Sequence, residues 1–89
     1  MPKIKASASL TADAQVGQEN AVYYGYTVTV ATATAAINIR RTSDSGQIID
    51  VIPASTAAGS TKHIDNGIGV DALFVDFNGA TGTVVVHYE

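Results

Sequence analysis

Apolar and polar residues alternate with a period of two along much of this chain. In residues 22–30, valine and tyrosine at even positions alternate with tyrosine, glycine and threonine at odd positions. Shorter alternating stretches cover residues 4–10, 37–40, 73–77 and 83–88. Successive side chains of a β-strand point to opposite faces, so this period predicts half-buried strands. It places Tyr24 and Tyr26 in the core and Tyr23 on the outward face.

Residues with turn chemistry separate the alternating stretches, as in segments 42–46, 65–67 and 78–82. Pro53 ends an apolar strand over residues 47–52, because proline cannot donate to the ladder. Residues 11–20 are the only helix candidate, and Gly17 weakens it. The pattern predicts an all-β domain of about seven strands with no significant helix. We expect a single small antiparallel β-sandwich, jelly-roll or immunoglobulin-like.

The chain has 89 residues, enough for one domain. We expect residues 1–18 to form an N-terminal strand or arm and residues 19–89 the sandwich core. A domain this small buries only about 60% of its unfolded surface. It has no cysteine and no Cys/His cluster, which excludes disulfides and disfavours structural zinc. Oligomerisation or docking onto a larger body is therefore the expected source of added stability.

The composition disfavours several classes of partner. The net charge is −3 and the five Lys and Arg residues are scattered, which argues against a nucleic-acid groove. No apolar run approaches the roughly 20 residues of a membrane span. No apolar segment follows the basic N-terminus, so we expect no secretory signal and synthesis in a cytoplasm. Charged residues make up only 15% of the chain, which suits contact with other protein.

Candidate catalytic groups do not converge in the sequence. An active site needs a nucleophile, a base and an orienting group together, so we expect no enzyme and no cofactor. His87 is out of phase with Val84 and Val86, and His63 lies beside a predicted turn. Both are interpreted as surface histidines, with a pH-responsive interface as the alternative.

Three carboxylates, Asp65, Asp71 and Asp76, lie near one another in the sequence. Oxygen-rich loops can bind calcium, but this segment lacks the ligand spacing and closing glutamate of an EF-hand. Aspartate also bonds its own backbone in turns, and turn capping is the simpler interpretation. The sequence therefore predicts no metal site.

Several apolar residues fall out of phase with the core face of their strands. Phe74 and Val85 do so, and either Ile48 or Ile49 must do so in an apolar strand. Such positions suggest that another subunit covers part of the outer surface. The candidate interface residues are Tyr23, Ile48, Phe74, Val85 and His87.

The order of the segments resembles a known family. Val22-Tyr23-Tyr24-Gly25-Tyr26-Thr27-Val28 is followed by Ile37–Arg40, an apolar strand ending in Ile52-Pro53, an Asp-Asn-Gly-Ile segment at 65–68, and a closing Thr-Val-Val-Val-His-Tyr. From about residue 20 onward this resembles the small β-sandwich virion proteins of tailed bacteriophages, which include head decoration (cement) proteins and tail or fibre accessory proteins.

The resemblance implies a structural protein of the virion that forms a homo-oligomer, often a trimer, and binds a major capsid protein or another virion protein. It carries over no active-site residues. Within it, the segment that matches least well is residues 2–18, which we interpret as an arm able to reach a neighbouring subunit. The alternative function is a carbohydrate-binding module for host recognition. That alternative depends on an outward Tyr23 and on Asn/Asp-bearing loops.

Overall fold

A computed structural model describes residues 4–89, apart from the side chains of residues 18 and 19; residues 1–3 of the predicted arm lie outside this description. The described residues form six strands and no helix, so none could cross a membrane as a helix. The strands are β1 (Lys5–Ala6), β2 (Ala14–Ala33), β3 (Ile37–Arg41), β4 (Ile48–Ile52), β5 (Thr61–Asp76) and β6 (Thr81–Tyr88). The all-β prediction is confirmed. An isolated bridge between Leu10 and Val84 adds to the six strands.

The strands form one antiparallel sheet in the order β1-β6-β2-β5-β3-β4. β2 and β5 are its two long strands, with 20 and 16 residues. The last strand in the order, β4, lies across the core from β2, because Asp50 on β4 accepts a hydrogen bond from the Tyr23 hydroxyl on β2. One folded sheet therefore supplies both layers of a small sandwich-like fold.

The core lies between these layers and is built from strand residues of alternating phase. Its buried members are Ala21, Tyr23, Tyr26, Val28, Ile37, Ile39, Ile52, Val70, Leu73, Val75, Phe77, Ala80, Val84 and Val86. In β3, the end of β5 and β6, the buried residues are the ones that the period of two predicted. Local alternation was therefore sufficient in these three places.

A β-bulge in β2 overturns the predicted direction of Tyr23. The register of β2 shifts between Tyr23 and Gly25 against both neighbouring strands. A bulge adds one residue to a strand and so exchanges its two faces. Ala21 and Tyr23 face the core before the bulge, and even-numbered residues such as Tyr26 face it afterwards. The prediction that Tyr23 projects outward is wrong, because its side chain is fully buried.

Tyr24 and Val30 were both predicted to face the core, and the structure bears this out in part for Tyr24 and not for Val30. Tyr24 is buried but lies outside the core cluster, near Val22 and the backbone of Gly67. Val30, predicted to face the core, is 54% exposed. A second register shift, between Val28 and Val30, places Val30 opposite Thr83 on β6.

The two Asn-Gly pairs of the chain behave differently. Asn78 and Gly79 both have positive φ, 50° and 82°, and the Ala80 N–H donates to the Phe77 carbonyl at 2.7 Å, which makes the predicted tight turn. The hairpin predicted here is wrong, because β6 pairs with β1 and β2 and β2 separates it from β5. The turn predicted at residues 65–67 is wrong, because β5 runs through it. Pairing with β2 on both sides of this segment keeps the backbone extended, and Gly67 absorbs the irregularity with φ 70°.

The N-terminal segment lies along β6 of the same chain. Lys5 and Ala6 pair with Tyr88 and His87, and Leu10 exchanges two backbone hydrogen bonds with Val84. Between them, Ser7 accepts the Val86 N–H with its hydroxyl at 2.9 Å. The helix candidate at residues 11–20 is replaced by a strand from Ala14 onward, which also runs through residue 18.

Candidate interaction surface

Phe74 lies on the outer face of the sheet, opposite the core. Its neighbours Leu73 and Val75 are fully buried core residues, so alternation turns Phe74 to the other side. Its side chain is half-buried and is not packed against the core cluster. Phe74 is opposite Arg40 on β3, and Arg40 is opposite Ile48 on β4. Paired residues point to the same face, so these three side chains form one row.

A second row on the same face brings Val51 beside Ile48. Val51 on β4 is opposite Asn38, and Asn38 is opposite Asp76 on β5. The register of β4 shifts by one residue at Ile49, so both Ile48 and Val51 face outward. They are 43% and 41% exposed. We call Ile48, Val51 and Phe74 the outer apolar patch.

The charges within this patch are paired. The Arg40 Nε donates to Asp76 Oδ2 at 3.0 Å, and the Arg40 Nη1 donates to the Gly46 carbonyl at 2.8 Å. The two charged side chains are mostly buried on this face. The guanidinium therefore adds flat, neutralised surface between Phe74 and Ile48 rather than a free charge.

Val85 and His87 lie on the outer face of β6. In the sequence, Val85 stands between the core residues Val84 and Val86, and His87 follows Val86. The Nε2 of His87 is 2.9 Å from the Thr27 hydroxyl, within hydrogen-bond distance. Thr27 also shares a hydrogen bond with Thr61 at 2.9 Å. These groups form a polar strip next to Val85.

The two histidines face the same side of the sheet. His63 and His87 are both opposite Gly25, one on each neighbouring strand. The His63 Nε2 is 3.5 Å from Asp65 Oδ1, and both side chains are largely exposed. Within residues 4–89, no three metal-type ligands are grouped to hold an ion.

The structure therefore divides the predicted interface residues into three groups. Ile48 and Phe74 belong to the outer apolar patch, and Val85 and His87 lie on the outer face of β6. Tyr23 belongs to the core and is not available to a partner. Val51 was missed as a candidate, because simple alternation places it on the opposite face from Ile48.

A polar cluster at the border of the core lies on the core side of β4. The Tyr23 hydroxyl donates to Asp50 Oδ2 at 2.7 Å, and Lys62 Nζ donates to Asp50 Oδ1 at 2.8 Å. The Asp50 side chain is only 10% exposed. Burial raises the pKa of the Tyr23 hydroxyl above its ordinary value of about 10, and the hydrogen bond to Asp50 raises this pKa further. The cluster ties together β2, β4 and β5.

No pocket is present in the part of the chain that the structure describes. Comparison with protein-family models, with curated proteins and with solved structures finds no match to this chain. The outer apolar patch is therefore the main candidate site that the geometry offers.

Proposed function

We propose that this chain is a non-enzymatic structural protein of a tailed-phage virion. In this proposal it binds the capsid shell as a decoration protein and stabilises it. The supporting observation is the outer apolar patch, where half-buried Phe74 shares one face of the sheet with Ile48 and Val51, which are more than 40% exposed. Contiguous exposed apolar surface is uncommon on monomeric proteins and typical of protein-binding sites.

The chemistry of the patch suits a protein partner. Aromatic and arginine side chains are enriched in interface cores, and unpaired charges are depleted there. Phe74 supplies the aromatic ring, and Arg40 supplies a guanidinium already neutralised by Asp76. Burying this surface leaves no unpaired charge, and little further desolvation is needed because the Arg40 and Asp76 side chains are already only 21% and 17% exposed. We further propose that copies form a homo-oligomer on the shell, and the phage resemblance favours a trimer.

The carbohydrate-binding alternative loses its main support. It depended on an aromatic ring of Tyr23 exposed for stacking on a sugar, and that ring is fully buried.

The test measures binding of purified protein to capsids that lack it, by co-sedimentation. Phe74→Ser should weaken binding at least about tenfold, because truncating a hot-spot residue at the centre of an interface costs about 2 kcal/mol or more. Its unfolding midpoint should stay close to that of the wild type, since Phe74 is not packed on the core cluster.

Val30→Ser is the matched control, because it removes an exposed apolar side chain outside the patch. This control should bind capsids like the wild type. Equal loss of binding in both variants would contradict the proposal, as would failure of the wild type to bind capsids. Binding to tails instead of heads would move the protein to another place in the virion.

A further inference from the structure

β4 is an edge strand with one open side. It pairs with β3 alone, at the end of the sheet. The Arg41 N–H on β3 donates to the Gln47 carbonyl, next to β4. Backbone groups alternate in direction along a strand, so Ile37 and Ile39 also direct theirs toward β4. Asn38 directs its own toward β5. Val51 is opposite Asn38 and therefore turns its N–H to the open side. Unpaired N–H groups on an edge strand can template pairing with another chain.

The Asp50 carboxylate covers this backbone N–H group of Val51. The Val51 N–H donates to Asp50 Oδ1 at 2.9 Å, and Lys62 Nζ donates to the same oxygen at 2.8 Å. The Tyr23 hydroxyl holds the other carboxylate oxygen. The carboxylate is thus fixed from β2 and β5 while it covers the edge of β4.

Two further features of β4 are typical of protected edges. The extra residue at Ile49 interrupts regular pairing, and the strand has only five residues. Bulges, short length, lysine and inward-pointing charges are the devices by which natural sheets avoid edge-to-edge association. Asp50 and Lys62 combine the last two at one point.

We propose that the Asp50 carboxylate caps the open side of β4 and so prevents this edge from pairing with a second copy of the chain. An antiparallel pair around a two-fold axis sets Ile48 opposite Val51 of the second copy. Because both side chains face outward, the exposed apolar residues of the two copies then meet on one face. The Asp50 cap on the Val51 N–H therefore prevents two copies from joining through their β4 edges in this way. This inference does not depend on the proposed capsid function.

The test variant combines Asp50→Ala with Tyr23→Phe, so that no tyrosine hydroxyl is left without its acceptor in the core. Tyr23→Phe alone is the control, because it retains the carboxylate on Val51. Sedimentation velocity across a concentration series measures assembly. The double variant should associate at least tenfold more strongly than the control, whose assembly should match the wild type.

A third variant tests whether the new contact uses the edge. Adding Val51→Pro to the double variant removes the free N–H, and proline is tolerated on an edge strand where the N–H faces out. This triple variant should return to the assembly state of the control. Larger species that persist in it would overturn the proposal, because they would not require the Val51 donor. A double variant with unchanged assembly would overturn it too.

A second measurement keeps Asp50 and Tyr23 and changes only Lys62, whose side chain is 46% exposed. If Asp50 caps the edge, the Val51 amide should exchange with solvent at least tenfold more slowly in the wild type than in Lys62→Ala, which loosens the carboxylate. Rapid exchange of the Val51 amide in both proteins would overturn the proposed cap.

Discussion

Replacing Gly25 with alanine tests the bulge that directs Tyr23 into the core. Gly25 has a φ of 125°, a conformation that residues with a Cβ rarely adopt. A Cβ built at this position would overlap the carbonyl oxygen of Lys62 on the neighbouring strand. Both problems come from the backbone, so rotation of a side chain cannot relieve them.

The expected cost can be built from these two effects. A residue held in a sparsely populated backbone region costs roughly 1–3 kcal/mol. The overlap adds the cost of moving β5 away from β2, as overpacking typically costs about 1–3 kcal/mol. We therefore expect Gly25→Ala to lower the free energy of unfolding by about 3 kcal/mol or more. That is a large fraction of the roughly 5–15 kcal/mol that stabilises natural domains.

Gly59→Ala is the matched control. Gly59 also has a positive φ, 91°, but a Cβ there would meet no atom within 4 Å. Only the conformational cost remains, roughly 1–3 kcal/mol as at Gly25, without the overlap. Urea unfolding followed by circular dichroism and tyrosine fluorescence measures both variants. If Gly25→Ala costs no more than Gly59→Ala, the close approach at Gly25 is absent and the reasoning about the bulge fails.

Two more predictions concern buried polar groups. The raised pKa of Tyr23 means that the folded state holds this proton more tightly than the unfolded state, so its contribution to stability is complete below pH 10 and is lost as the pH rises further. Above pH 10, Tyr23 should lower the free energy of unfolding by up to about 1.4 kcal/mol per pH unit. Tyr23→Phe should lack this contribution, and urea unfolding between pH 9 and 11.5 measures both proteins. Thr32→Val should cost about 2 kcal/mol, because the buried Thr32 hydroxyl donates to the Pro53 carbonyl and accepts the Thr56 N–H, each at 2.9 Å. A cost below about 0.5 kcal/mol in thermal unfolding would show that water replaces these bonds.

The period of two in the sequence was enough to predict an all-β chain and the buried faces of several strands. Ile37, Ile39, Val84 and Val86 are buried as expected, because β3 and β6 are regular on these stretches. The Asn78–Gly79 turn was also predictable, since both residues tolerate positive φ, but the turn joins two strands that do not pair with each other. In each case the determining physics acts between residues close in sequence.

The candidate surface was only partly predictable. Phe74 and Ile48 stand out in the sequence because they are apolar on the outer side of their strands. Their meeting in one row, with Arg40 between them, depends on the order β5-β3-β4, in which β3 pairs with the sequence-distant β5. Local periodicity contains no information about that order.

Tyr23 and Val51 show what only the tertiary structure decided. Tyr23 lies before, and Val51 after, an extra residue that exchanges the two faces of its strand. Alternation alone therefore assigns each side chain to the wrong face. The place of an extra residue is set by the register with neighbouring strands, and Gly25 permits rather than dictates it. The sequence determined that these segments are strands and which residues are apolar. The pairing of distant strands determined which side chains entered the core and which remained for a partner.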